Sequence, residues 1–181
     1  DEIHDLRDTY GADAVDMIVN SSQYCGIAYL MTNPSHSFES YAFSVTARTC
    51  ATGYYSFGHE LGHNFGCAHD HQNASSGAYS YSFGWRTSNS QYRTIMAYSP
   101  GSRIKYFSNH NKSRSGMPLG QSNYAENWRS LNNTADIVAG WRDSANSYEL
   151  SFVLTSDLIA GSSARAAITG SLRNNRIVLC N

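Results

Sequence analysis

The chain has 181 residues, enough for one domain with a buried core, and its formal net charge is −1 at pH 7. Charged side chains make up 15% of it, against roughly 25% in an average soluble domain. The absence of any basic run or basic–aromatic stripe argues against a nucleic-acid partner. No apolar stretch approaches the roughly 20 residues of a membrane span, which argues against a membrane protein.

The N-terminal part of the sequence predicts one helix followed by three strands. The helix runs to about Tyr10 and is ended by Gly11. Two short apolar runs, residues 14–20 and 26–30, have the length and composition of buried strands. Residues 41–47 alternate aromatic or β-branched side chains with small polar ones, which is typical of a strand with one solvent-exposed face.

The C-terminal part predicts a late helix and then a change of pattern. Residues 122–144 carry apolar side chains at helical spacing. After this helix, residues 148–154 alternate as a strand does, and a second strand pattern lies near the chain end. We therefore predict one domain over residues 1–144 and a tail over residues 145–181 that packs on it, tied by Cys180, or begins an accessory module. The apolar residues of the helix are Trp128, Leu131, Ile137 and Trp141.

Four cysteines without C-x-x-C spacing favour two disulfides in a secreted protein over four free thiols. Of the three connectivities that four cysteines allow, we favour Cys25 with Cys50 and Cys67 with Cys180. A weakly charged polar surface also suits an extracellular protein. Because the opening residues lack a signal-peptide pattern, we expect Asp1 to follow a processing event.

The stretch "GHELGHNFGCAHD", residues 58–70, combines histidines and a glutamate at informative spacing. His59 and His63 are four residues apart, so on a helix they share one face, with Cβ atoms about 6 Å apart. Two imidazoles at this separation can bind one Zn²⁺. Glu60 projects about 100° around the helix from His59, beside the ligands, where a carboxylate can take a proton from a water on the metal.

A third ligand and a turn complete this pattern. Zinc at a catalytic site takes three protein ligands and keeps one open position. Gly66 can adopt the left-handed conformation that ends a helix, which lets His69 return to the metal. The pattern also predicts a methionine turn further along the chain, and "YRTIMAYSPGSR" supplies Met96. The alternative is a polar helix with coincidental histidines.

The opposite face of the same helix predicts its packing. Phe57, Leu61 and Phe65 form an apolar stripe at i, i+4 and i+8 that should pack on the core. Gly58 and Gly62 each cost about 1 kcal/mol relative to alanine within a helix. We therefore expect another part of the chain to approach the helix closely at these glycines.

These motifs resemble the metzincin metalloendopeptidases, over about residues 10–142. The resemblance implies an α+β fold of the metzincin type, with a twisted mixed sheet, an active-site helix, a Met-turn and a late C-terminal helix. It implies Glu60 as the general base and Met96 as the Met-turn residue. The zinc ligands that it implies are His59, His63 and His69.

Two residues place the sequence between metzincin groups. Asp70, directly after the third histidine, is similar to the structural aspartate of adamalysins or reprolysins. Tyr98 stands where adamalysins usually have proline; it is similar to the tyrosine of astacins and serralysins, which binds zinc and later stabilises the oxyanion. The segments "CGIAYL", "AFSVTARTCATGYYSFGHELGHNFG" and "RTIMAYSPGSRIKYFSN" most resemble the peptidyl-Asp metalloendopeptidases.

The resemblance also suggests how a substrate binds. An extended polypeptide should pair with the edge of a sheet, for which we expect residues 41–47. After the Met-turn, Arg103 or Lys105 should meet the carboxylate of a substrate aspartate; a solvated basic loop is the alternative. The strand residues expected to contact substrate are Ala42, Phe43, Ser44, Val45 and Thr46.

The sequence thus predicts a secreted, monomeric, zinc-dependent endopeptidase that cuts polypeptides on the N-terminal side of Asp. Ca²⁺ is compatible with a secreted metzincin, but no run of oxygen ligands identifies a site. One alternative is a non-catalytic zinc-containing binding module, although such proteins typically lose the glutamate or a ligand histidine. Another is a zinc hydrolase of a non-peptide bond, such as an ester or amide in a small molecule.

Overall fold

The computed structural model describes residues 2–142 and, for the backbone alone, residues 177–180. Helices and strands are mixed in it, as small sheets with a few helices, so the predicted α+β class is confirmed. The helices are α1 (Glu2–Tyr10), α2 (Ser56–Asn64) and α3 (Asn127–Ala139), with a 3₁₀-helix at His36–Tyr41. The strands are β1 (Ala14–Val19), β2 (Gly26–Ala28), β3 (Phe43–Ala47), β4 (Ala68–Asp70), β5 (Phe83–Gly84), β6 (Tyr92–Arg93), β7 (Ser102–Arg103), β8 (Asn109–Arg114), β9 (Met117–Leu119) and β10 (Ile177–Cys180).

The main sheet has the strand order β10-β1-β3-β2. Strand β1 runs parallel to both β10 and β3, whereas β2 is antiparallel to β3. Among the described residues, β2 therefore forms one edge of this sheet, and β3 has hydrogen-bonded neighbours on both sides.

The prediction that residues 41–47 form the substrate-binding edge is therefore wrong. An alternating pattern indicates which face of a strand is exposed, but it carries no information about which strands lie beside it. The backbone groups of β3 are already paired with β1 and β2. The contacts with substrate that were predicted from such an edge involve Ala42, Phe43, Ser44, Val45 and Thr46.

Helix α2 packs across β3 and β2, with part of its predicted apolar stripe in the core. Leu61 and Phe65 pack against the first of two buried clusters, whereas Phe57 is half-buried and lies outside it. The indole N–H of Trp141, which follows α3, donates to the Ser35 carbonyl at 3.2 Å and fixes one wall of this cluster. The buried members are Ala14, Met31, Ala42, Val138 and Trp141.

The second cluster lies under the other side of α2 and contains Met96. A Cβ built on Gly62 would lie 2.9 Å from Met96 Sδ and 3.0 Å from Phe107 Cε1, so this glycine allows the close approach that its position predicts. A Cβ on Gly58 would have nothing within 4 Å, so close packing does not account for that glycine.

One of the two predicted disulfides is present. Cys25, just before β2, is bonded to Cys50, just after β3. Cys67 is a free, buried thiol whose Sγ donates to the Asn127 carbonyl at 3.6 Å, so its predicted pairing with Cys180 is wrong. The reason is topological: Cys67 lies in the interior beside the first residue of α3, and Cys180 lies on β10 in the main sheet.

Part of the C-terminal tail returns to the domain. The backbone of β10 extends the sheet in parallel beside β1, although no disulfide from Cys67 holds it there. The strand predicted at residues 148–154 lies outside the described residues, and the domain boundary at residue 144 stays a prediction. No helix in the described part of the chain is long and apolar enough to cross a membrane.

Candidate active site

Three imidazoles converge where α2 meets β4. His59 and His63 project from α2, and His69 lies on β4. The Nε2 atom of His69 is 3.1 Å from the Nε2 atoms of both His59 and His63. Zn–N bonds of 2.0–2.1 Å place neighbouring nitrogens of a tetrahedral site about 3.3 Å apart. The three nitrogens therefore have the spacing needed to hold one zinc ion.

Gly66 turns the chain so that His69 can reach this point. Helix α2 ends at Asn64, and Gly66 has φ +82°, the left-handed conformation that the sequence predicts for it. A Cβ there would lie 2.3 Å from the Ala78 Cβ and 2.9 Å from the Met31 carbonyl oxygen. Both the conformation and the space therefore require glycine.

Backbone carbonyls fix the orientation of the two helical histidines. The Nδ1 of His59 donates to the Ile95 carbonyl at 2.9 Å, and the Nδ1 of His63 donates to the Cys67 carbonyl at 2.8 Å. Because Nδ1 carries the proton, Nε2 keeps its lone pair for a metal. Main-chain acceptors are not specific to residue type, so no sequence pattern indicates them.

Burial keeps the imidazoles in the neutral form that binds metals. It lowers the pKa of His59 to about 2 and that of His63 to about 4, and in each case a neighbouring histidine lowers it further. Burial also lowers the pKa of His69. A site of neutral imidazoles binds a divalent cation without first releasing protons.

Glu60 follows His59 on α2 and contacts the edge strand β2. Its side chain is buried, and a Cβ built on Gly26 of β2 would lie 2.4 Å from its Oε1 atom. Burial raises the pKa of Glu60 to about 7; the charge of Asp16 acts in the same direction, and Arg103 opposes it. A carboxyl group with a pKa near neutrality can both accept and return a proton.

Asp16 is a buried acid that sequence reasoning did not single out. It lies on β1 with no exposed surface, and its Oδ2 accepts hydrogen bonds from Ser44 Oγ at 2.6 Å and Thr46 Oγ1 at 2.8 Å. Its Oδ1 has no hydrogen-bond partner among the described residues. The signal was available, because a charged residue inside the apolar run "AVDMIV" is rarely buried without a reason.

Asp70 connects the third histidine to the segment that follows the methionine. Its Oδ2 accepts the backbone N–H of Tyr98 at 2.9 Å, and its Oδ1 pairs with Arg86 at 2.7 Å. Burial alone would raise the pKa of Asp70, but the Tyr98 N–H, Asn73 and Arg86 together hold it below its ordinary value. The carboxylate therefore stays ionised and joins β4 to this segment.

Met96 and Tyr98 take different positions in that segment. The chain turns at Met96, where the Ala97 N–H donates to the Thr94 carbonyl at 3.0 Å, and the Met96 side chain is fully buried under α2. The Tyr98 ring, by contrast, is 43% exposed and lies 4.1 Å from the His69 ring, centroid to centroid. Burial, followed by the charge of Glu60, raises the pKa of Tyr98, which keeps its hydroxyl protonated.

The two cations predicted to meet substrate differ in their surroundings. Lys105 is exposed, whereas Arg103 is half-buried and donates from Nη1 to the Tyr54 carbonyl at 3.1 Å. The buried Nε of Arg103 has no hydrogen-bond partner among the described residues. Burial, with Arg93 next, lowers the pKa of Arg103 to about 10. Arg103 is thus a partly desolvated cation close enough to influence Glu60.

Arg93, which the sequence does not identify as a candidate, supports the segment around Arg103. It lies opposite Arg103 in the β6–β7 pair. Its Nε donates to the Gly101 carbonyl at 2.8 Å and its Nη1 to the Ala97 carbonyl at 2.7 Å. Arg93 therefore holds the segment after Met96 in place.

His71 lies apart from the histidine group. Its exposed ring stacks between Phe83 and Tyr124, with centroid distances of 3.7 Å and 3.9 Å, and its Nε2 is 2.9 Å from the Tyr124 carbonyl oxygen. The structure thus brings His69, and not His71, to the other two imidazoles.

Fold and site together are those of a metallopeptidase domain, and comparison with known families agrees. Residues 1–108 match the model of metallo-peptidase family M12, and the chain belongs to this family. It is 42% identical over 146 residues to the peptidyl-Asp metalloendopeptidase of Xanthomonas campestris, covering 78% of this chain and 34% of that protein. It is 40% identical over 149 residues to the protein of the same name from Stenotrophomonas maltophilia, covering 78% of this chain and 35% of that protein.

Two further similarities bear on the extent of the match. A peptidyl-Asp metalloendopeptidase of Pseudomonas fragi is 39% identical over 101 residues, covering 54% of this chain and 65% of that sequence. The chain spans about a third of the length of the Xanthomonas and Stenotrophomonas relatives. A solved structure of a chaperone–substrate complex matches with a TM-score of 0.54 at 20% identity, over 76% of this chain and 22% of that one, and supports the fold alone.

Proposed function

We propose that the chain is the catalytic domain of a secreted, zinc-dependent endopeptidase. The observation that carries this proposal is the convergence of three Nε2 atoms next to a buried carboxyl group at a sheet edge. His59, His63 and His69 would hold the ion. When bound, zinc supplies Lewis-acid chemistry: it lowers the pKa of a water toward roughly 7 and polarises a carbonyl.

Glu60 acts as the general base and then as the general acid. It removes a proton from the attacking water and delivers it to the leaving amine, two steps that a pKa of about 7 supports. Tyr98 donates a hydrogen bond from its hydroxyl group, which keeps its proton, to the oxygen that develops negative charge; its raised pKa and its position against His69 support this role. Asp70 holds Tyr98 in place through its backbone N–H.

The polypeptide substrate pairs with β2 as an added strand. Gly26 of β2 adjoins Glu60, and the neighbouring Ile27 is 70% exposed, so an extended chain at this edge would pass the reacting groups. Its backbone groups would bond to those of β2, which replaces β3 as the substrate-binding strand.

Arg103 recognises an aspartate that follows the scissile bond. A buried guanidinium nitrogen without an acceptor gains most from a carboxylate, because charge-assisted hydrogen bonds are strong where water is excluded. The names of the relatives support the same preference. Lys105, being exposed, would contribute little.

Secretion is supported by the disulfide between Cys25 and Cys50. Disulfides persist in oxidising compartments and are rare in the cytosol. The three histidines and Glu60 are all present, whereas a non-catalytic binding module typically lacks one of them. Among the described residues, no specific observation favours a small-molecule substrate.

A peptide library tests this proposal. The full chain is incubated with peptides of mixed sequence and the cut sites are identified by mass spectrometry, beside chelator-treated protein and the same protein with zinc restored. We expect cuts before Asp that chelation abolishes and zinc restores. Cuts without an Asp preference would support the endopeptidase activity and contradict the proposed preference for Asp. Zinc binding without cleavage would favour a binding module, and hydrolysis of small esters alone would favour the other alternative.

A further inference from the structure

A cleft of about 360 Å³ opens just beyond the end of β2. Tyr29, Leu30, Phe38 and Tyr41 line its apolar part. Tyr29 is 58% exposed and Tyr41 is 52% exposed, with their rings edge to face at 5.2 Å. Exposed aromatic rings next to one another form a surface suited to another large apolar side chain.

The cleft is held by the elements that build the active site. The Met31 N–H donates to the carbonyl of His63 at 3.0 Å, and Asn64 Nδ2 donates to the Tyr29 carbonyl at 3.0 Å. Phe38, which lines the cleft, packs on the first core cluster and lies 5.7 Å from Trp141, centroid to centroid. The position of the cleft relative to the histidine group is therefore fixed by packing and hydrogen bonds.

The direction of the bound polypeptide follows from the two ends of β2. The strand begins beside Cys25, whose disulfide partner Cys50 accepts the N–H of Ser56 at the start of α2. Arg103 donates to Tyr54, in the same stretch before α2. If Arg103 binds the side chain after the scissile bond, the substrate runs antiparallel to β2, with its N-terminal part over Tyr29.

We propose that this cleft binds a large aromatic or aliphatic side chain of the substrate, N-terminal to the scissile bond. The inference rests on the proposed function and adds a second specificity to it. Tyr29 lies three residues beyond Gly26, or about 10 Å at 3.3 Å per residue of strand. The side chain that enters the cleft therefore belongs to the second, third or fourth residue before the cut.

The test uses peptides that all carry Asp after the intended cut and that differ at one of these three positions, with Phe, Leu or Ala. For the 181-residue chain with zinc we expect kcat/KM for the Phe or Leu peptide to exceed that for the Ala peptide roughly tenfold at one position. In Tyr41→Ala this ratio should fall toward one, and in Tyr29→Ala likewise, which provides a second route if one variant does not fold. Tyr124→Ala is the matched control: Tyr124 is a 43% exposed tyrosine packed on His71, and the ratio should stay at the wild-type value.

Each outcome separates this inference from the function on which it rests. Cuts before Asp with equal kcat/KM for Phe, Leu and Ala at all three positions would show that the cleft binds no substrate side chain. The proposed endopeptidase function would still stand. A preference that persists in both Tyr41→Ala and Tyr29→Ala would assign the specificity elsewhere and overturn the inference. Absence of cleavage in every peptide would overturn the proposed function and this inference with it.

Discussion

Gly26 and Glu60 are in direct contact: the position that a Cβ would take on Gly26 lies 2.4 Å from Glu60 Oε1 and 2.5 Å from its Cγ. The edge strand β2 and the Glu60 side chain on α2 are therefore packed so closely that any side chain at position 26 would overlap the Glu60 side chain. Because of this contact, the carboxyl group proposed as the general base also lies where the backbone of the proposed substrate would run.

Gly26→Ala should displace the Glu60 carboxylate. The methyl group would meet side-chain atoms of Glu60, from Cγ to Oε1, rather than backbone, so the fold should persist while the carboxylate moves. A displacement of about 1 Å at a catalytic group can cost roughly 100-fold in rate. We expect peptide cleavage to fall by about this factor, with zinc content and Tm close to wild type.

Gly58→Ala provides the matched control for that substitution. Gly58 is a glycine of α2 whose added Cβ would have nothing within 4 Å. We expect unchanged cleavage and a stability gain of up to about 1 kcal/mol from helix propensity. Full activity in Gly26→Ala would contradict the contact on which this account depends.

Gly66→Ala should damage both the fold and metal binding. The residue has φ +82°, and its Cβ would lie 2.3 Å from that of Ala78. Strained backbone and overpacking each cost roughly 1–3 kcal/mol. We expect a lower Tm in the metal-free protein and weaker zinc affinity, because His69 depends on this turn. An unchanged affinity, measured by competition with a chromophoric chelator, would show that another residue directs His69.

Asp16→Asn should move the acid limb of activity to lower pH. Glu60 must be deprotonated to act as a base, and burial together with the negative charge of Asp16 raises its pKa from an ordinary 4.5 to about 7. Removing a like charge lowers that pKa, so kcat/KM should persist further into acid. The profile of kcat/KM between pH 4 and pH 8 measures the pH at which activity falls on the acid side. If that pH is the same or higher in Asp16→Asn than in wild type, the prediction is contradicted.

Arg103→Gln should remove the preference for Asp, whereas Lys105→Gln should not. The Arg103 guanidinium is half-buried and its Nε has no hydrogen-bond partner in the described part of the chain, while Lys105 is exposed. Loss of a buried charged partner typically costs 2–5 kcal/mol, or roughly 30- to several-thousand-fold. The ratio of kcat/KM for matched Asp and Asn peptides reports this directly. An equal loss in both variants would point to general positive charge and not to one binding residue.

The histidine site was predictable because its geometry is encoded locally. His59 and His63 are one helical turn apart. Glycine is the residue type that most readily adopts the left-handed turn seen at position 66, before His69. Helix α1 and strand β1 were likewise predictable from periodicity and from Gly11. Each of these features depends on residues within about ten positions of one another.

The incorrect predictions concern relationships between distant segments. That β2 and not β3 lies at the edge of the main sheet among the described residues follows from strand order, which alternation within one strand cannot reveal. The free thiol of Cys67 follows from its burial beside Asn127, which cysteine spacing does not encode. The carbonyl groups of Ile95 and Cys67 that orient the histidines are common to all residue types, and the sequence therefore carries no mark of them.

Glu60→Gln, with zinc content and peptide cleavage measured on the same sample, tests the central claim most directly. Glutamine keeps the shape of the side chain and loses the ability to accept a proton, and removal of general acid–base catalysis typically costs 10²- to 10⁴-fold. We predict one zinc ion per chain, as in wild type, and a loss of cleavage in this range. Cleavage within a few-fold of wild type, with zinc still bound, would show that Glu60 is not the base and would contradict the account.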